Sequence, residues 1–118
     1  MPQLIFKGVI PDVVQKLSIA LPKQLAELSD TPVDYFTLEC PETKYFRDGK
    51  IHDMYPLVEV LQYDRGVAME KQMAQCIADA VKAEGYTMCE VYFIHIGKDD
   101  YYESYRTKSV CKKCCKPR

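Results

Sequence analysis

Two strand–helix–strand patterns follow one another in this chain, and each opens at a proline. Residues 2–9 begin at Pro2 and carry Leu4, Ile5 and Phe6, the mark of a β-strand. Residues 11–28 set Val13, Val14, Leu17, Leu21, Leu25 and Leu28 on one ridge of an amphipathic helix, and residues 33–40 read as a second strand. The second set starts at Pro56 with Leu57, Val58, Val60 and Leu61 as strand. It continues as a helix over 66–84 with Met69, Met73, Ile77, Ala80 and Val81 inward, and closes with a strand over 88–96. Corresponding elements lie roughly 55 residues apart, so the chain reads as a duplicated β-α-β unit. Each unit sets its two strands parallel through a right-handed crossover.

Local chemistry supports the boundaries. Pro11 suits the first turn of helix one and Asp12 its positive end; Asp64 is placed to cap helix two and Gly85 to stop it. Pro22 removes one backbone hydrogen bond inside helix one, yet the apolar ridge continues to Leu28, so a kink is expected and not an end. Asp48-Gly49, flanked by segments 43–46 and 50–54, favours a tight hairpin joining the halves. Lys7 and Glu59 interrupt otherwise apolar strands, so one sheet face carries mixed chemistry while helices cover the other. Packing that mixed face against copies of itself is the economical solution, and an oligomer is expected.

A length of 118 residues fits one domain, read here as 1–105, followed by a basic tail over 106–118 that is expected to be flexible. The formal charge of −1 gives no pull toward nucleic acid or anionic membrane. No run approaches the ~18 apolar residues of a membrane span, and the first strand does not have the form of a signal peptide. A cytoplasmic protein is the expectation. Of the six cysteines, Cys40, Cys76 and Cys89 sit singly in apolar segments and read as core. Cys111 and Cys114 have the spacing of half a zinc knuckle or a redox pair, with Cys115 beside them, but no second half completes four ligands. No metal site is assigned.

Pro2 carries the chemical interest. Removal of Met1, usual before a small residue, would leave a secondary amine at the start of a strand. An α-amino group has a pKa near ~8 in water, and desolvation moves it toward the neutral, basic form. The structural reading beside it is a proline that merely starts an edge strand, where its missing N–H costs nothing.

The start MPQLIF, the duplicated plan and Thr31-Pro32-Val33-Asp34-Tyr35-Phe36 before the second strand resemble the tautomerase superfamily, which includes macrophage migration inhibitory factor. The segments 34–39, 56–60, 63–66 and 91–95 are similar to a small bacterial branch of that superfamily, mostly of unknown function. The resemblance ends at Tyr105. It implies an α/β (α+β) fold with a pseudo-twofold, a four-stranded mixed sheet with two helices on one face. It implies a homotrimer with an active site at each subunit boundary, a small keto-acid-like substrate and no cofactor. Pro2 is then the general base that moves a proton between enol and keto forms. Arg65 and Tyr63 fall where the superfamily lines its pocket, and Tyr92 matches a tyrosine given by a neighbouring subunit. Arg65 would grip a carboxylate by two hydrogen bonds, against the plain reading of a solvated arginine at a helix start. For Tyr63 and Tyr92 the plain reading is core or interface. Thr31 stands where the cytokine branch has lysine, and Ile94 where it has asparagine, so that branch's substrates do not carry over. His95, Arg47, Glu39 and Glu59 are polar candidates left outside the site, His95 as a structural histidine.

Two other readings compete. One is a non-catalytic oligomer of the same fold, with Met1 retained and the amine blocked. The other is a ferredoxin-like ligand-binding module, whose sheet is antiparallel throughout.

Overall fold

The structure, a computed structural model, describes residues 1–106; the expected tail beyond Arg106, with Cys111, Cys114 and Cys115, lies outside the described residues. In chain order the elements are β1 (Gln3–Lys7), α1 (Pro11–Ser29), β2 (Thr37–Glu39), β3 (Tyr45–Arg47), β4 (Lys50–His52), β5 (Leu57–Gln62), α2 (Val67–Lys82) and β6 (Glu90–His95). One sheet has the order β2-β1-β5-β6, and β3 with β4 forms a separate hairpin. β1 runs parallel to β2, β5 parallel to β6, and the central pair β1/β5 is antiparallel with Ile5 opposite Glu59 at its midpoint. The two β-α-β units are therefore joined back to back about that midpoint. The parallel outer pairs dispose of the wholly antiparallel ferredoxin-like plan.

The core lies on the helix-covered face. Leu4, Phe6, Val58 and Val60 are fully buried under Leu17, Leu21 and Leu25 of α1 and Met73, Ile77 and Val81 of α2. Spacings of three and four on the helices and of two on the strands bring these residues to one layer. Each such side chain contributes about 1.5–3 kcal/mol by leaving water. The other face carries rows fixed by register: Thr37, Gln3, Leu61 and Ile94 in one, Glu39, Ile5, Glu59 and Tyr92 in the next. No helix among the described residues is long and apolar enough to cross a membrane.

β1, β2, β6 and α2 are shorter at their ends than expected, β2 most of all. The second strand reduces to three residues, because Val33–Tyr35 forms a 3-10 turn first. Pro32 fixes the entry, its carbonyl accepts from the Tyr35 N–H, and these residues are lost to the ladder. At the end of α1 the left-handed residue is Asp30, φ 52°, and both its N–H and that of Thr31 donate to the Ala26 carbonyl. Elsewhere α1 passes through Pro22 without ending, as the ridge to Leu28 requires, and the hairpin turns at Asp48-Gly49 with both residues at positive φ. Gly85 also adopts positive φ, just past α2. Asp64 serves α2 indirectly: its carboxylate accepts from the N–H of Gly66, which is the residue at the cap.

Candidate active site

The start of β1 and the ends of β5 and β6 meet at one end of the sheet. Gln3 pairs with Leu61, so one step further places Pro2 beside Gln62, and Gln62 pairs with His95. By strand alternation all three belong to the helix-covered face. Pro2 is buried and its carbonyl accepts from the Thr37 N–H at 3.3 Å, which ties the start of β1 to β2.

Arg65 follows directly from β5 and is held by two side chains. Its Nε donates to Gln62 Oε1 at 3.2 Å and its Nη1 to Thr31 Oγ1 at 2.9 Å. The left-handed turn at Asp30 is what presents Thr31 there, and Thr31 also donates to the Ser29 carbonyl. A guanidinium fixed at two nitrogens is preorganised for a planar anion at its remaining donors. The departure at Thr31, noted from the sequence, is thus the support for the arginine.

Gln62 and Glu70 are the two buried polar side chains among the described residues. Glu70, in the first turn of α2, accepts at Oε2 from Gln62 Nε2 (3.0 Å) and the Arg65 N–H (3.3 Å). His95 Nε2 lies 2.9 and 2.8 Å from its two oxygens. An ionised carboxylate only accepts, which assigns the proton to Nε2. Asp64 Oδ1 stands 3.8 Å from the same nitrogen. Asp64, Glu70 and His95 thereby offer three ligand atoms within 4.8 Å. The hydrogen bonds within this set satisfy the buried carboxylate without an ion.

Sequence reading missed Gln62 and Glu70 and set His95 aside. A signal was present: Glu70 shares the phase of Met73, Ile77 and Val81, an acid on the buried ridge of its helix.

The remaining expected residues are placed differently. Tyr63 is half-buried at the same end, edge-on to Tyr101 with centroids 5.7 Å apart and Lys98 Nζ 6.0 Å from its ring. Tyr92 is not brought to Pro2 within the chain; it lies level with Ile5 on the open face, where its hydroxyl donates to Glu59 Oε2. Lys7 Nζ reaches the same oxygen at 3.4 Å. The hydrogen bonds to Glu59 raise both Lys7 and Tyr92 above their ordinary pKa values. Glu39 bonds Gln3 at 3.4 Å and is separated from Glu59 by β1, so the two acids are not a pair. Arg47 lies in the hairpin.

A hollow of about 820 Å³ lies at the opposite end of β1, between the hairpin, Val9 and Tyr86, and holds none of the expected residues. Its wall includes Cys40, half-buried like Cys76 and Cys89, each packed against the core as a free thiol.

The fold recurs in solved structures. A protein of unknown function from Vibrio cholerae is 33% identical, with 86% of this chain and 83% of that chain covered and a TM-score of 0.78. A domain of unknown function from Sebaldella termitidis is 28% identical over 87% of this chain and 95% of that chain, TM-score 0.81. An asymmetric trimer of fused 4-OT, 14% identical over 90% and 95% with TM-score 0.74, shares the fold alone, as does a macrophage migration inhibitory factor-like protein. No curated protein matches the sequence. The fold is tautomerase-like, as in those two structures. Residues 1–106 match the family described as Domain of unknown function (DUF1904), and the chain belongs to that family.

Proposed function

We propose that this protein is a cofactor-free tautomerase or isomerase acting on a small keto-acid-like substrate, with Pro2 as general base and Arg65 as the carboxylate anchor. The observation that carries this reading is the arginine: its guanidinium is held by Gln62 and Thr31 at the sheet end where Pro2 stands. A base needs its substrate oriented, and a preorganised two-donor grip supplies orientation. The site is completed in a homotrimer, in which Tyr92 and its open face meet a neighbouring copy; the fused 4-OT neighbour is itself a trimer. Tyr63 then lines the pocket wall. Unpaired thiols at Cys40, Cys76 and Cys89 suit work in the cytoplasm.

A second reading, a non-catalytic oligomer, draws on one observation: Pro2 is fully buried behind Met1. Intact mass separates the two. Loss of Met1 from untagged protein, with turnover of the enol of phenylpyruvate that falls at least about a hundredfold in Pro2→Ala, is the expected result. Retention of Met1 would leave an amide nitrogen at Pro2, with no basic lone pair, and would make the non-catalytic oligomer the leading account.

A further inference from the structure

Glu70 and His95 have no part in the Pro2–Arg65 reading, yet their geometry is that of a built pair. Oε2 of Glu70 is used by the Gln62 amide and the Arg65 N–H, which would suffice to tie the start of α2. His95 Nε2 reaches both oxygens, at 2.8 Å from Oε2 and 2.9 Å from Oε1, and is the partner of Oε1 among the described residues. We infer that His95, held by Glu70, is a second proton-transfer group of this site, working at the substrate oxygen while Pro2 works at carbon; the inference rests on the Pro2 reading.

Three features support it. With its proton on Nε2 directed at Glu70, the ring presents Nδ1 as an acceptor, and no described residue bonds that nitrogen. The side chain is 43% exposed while that of Glu70 is only 10% exposed, so the orienting group is inside and the reacting edge is reachable. Finally, Pro2 and His95 flank Gln62 on adjacent strands of the same face, which sets their backbones about 10 Å apart.

The charges facing the ring come from each element around it: Glu70 from α2, Asp64 from the turn before α2, and the Arg65 guanidinium beyond Gln62. The two carboxylates are nearest, and an imidazolium formed during turnover would face them. In the ketonising direction, neutral Nδ1 takes the proton of the enol O–H and the electron pair forms the carbonyl. The enol carbon takes a proton from the Pro2 ammonium, leaving the neutral amine. The imidazolium proton returns to the amine through solvent, and the reverse direction uses imidazolium and neutral amine.

The test follows ketonisation of the phenylpyruvate enol over about pH 5 to 9 in wild type, His95→Asn, Glu70→Gln and Pro2→Ala. Alkylation of the Pro2 amine by a small acetylenic keto acid is read in parallel by mass. His95→Asn is expected to lower kcat by about a hundredfold, leave KM within about twofold, remove one limb of the pH profile and leave Pro2 labelling unchanged. Glu70→Gln, checked for folding by its melting curve, keeps the ring but loses the charge and gives an intermediate kcat with that limb displaced. Unchanged kcat and both limbs in His95→Asn would overturn the proposal and make the pair a helix tie. Labelling without wild-type turnover would also overturn it, with Pro2 still nucleophilic, whereas absent labelling strikes the Pro2 reading itself.

Discussion

Glu70 shows how a single buried charge organises its surroundings. With 8% of its surface exposed, it sits under Gln62, the Arg65 backbone and His95, and its desolvation is offset by donors from three parts of the chain. Cys89 shows the opposite case, a titratable group with little to favour its charged form. Burial pushes its thiol up from the ordinary value of 9.0 to about 11. Between those values the folded chain keeps a proton that the unfolded chain releases, so unfolding loses protons and stability falls as pH rises. The contribution is complete below pH 9 and gone above about 11. Melting curves should therefore shift down across that window, and Cys89→Ala should flatten the fall by roughly 1 kcal/mol, below the full shift because the thiol remains partly solvated. Equal slopes for the two proteins would contradict the assignment.

Among the elements, the approach of the chain to β5 depends on one glycine. Gly8, just past β1, has φ +73°, and a Cβ there would stand 2.7 Å from the Met54 carbonyl oxygen and closer still to that of Tyr55. Both atoms are backbone and cannot rotate away. Gly8→Ala adds left-handed strain of about 1–3 kcal/mol to that collision, so urea denaturation should show a loss of about 3 kcal/mol or more. Gly49 shares the positive φ but has open space around its missing Cβ. The corresponding alanine should cost only the strain, which isolates the close approach as the difference. β2 teaches a related point: Pro32 and the 3-10 turn after it leave three residues to pair with β1, and the short strand still fixes Pro2 through the Thr37 N–H.

At the scale of the molecule, the open sheet face is the unfinished part. Leu61 and Ile94 are neighbours in register, Ile94 is 42% exposed, and Lys7, Glu59 and Tyr92 form a connected polar cluster beside them. Such a face is satisfied internally in its polar groups and exposed in its apolar ones, which suits contact with copies of itself. Sedimentation should give three times the chain mass of 13.6 kDa. Leu61→Arg places a charge in that contact without touching the core and should shift the protein to monomer at micromolar concentration; a monomeric wild type would refute the trimer.

Period and spacing in the sequence determined much of this. Alternation at Leu4 and Phe6 and at Val58 and Val60, and the ridges of both helices, are local patterns that burial of apolar surface can satisfy in few ways. The hairpin at Asp48-Gly49 was legible because the turn needs positive φ there. Tertiary structure alone decided the network around Arg65. Thr31, Gln62, Glu70 and His95 come from the end of one helix, two strand ends and the start of another helix. No local pattern reports hydrogen bonds across such separations. The sequence indicated Pro2 and Arg65 as chemistry, and the antiparallel register of β1 with β5 is what brings them to one end of the sheet, because pairing direction follows from the packing of the whole core.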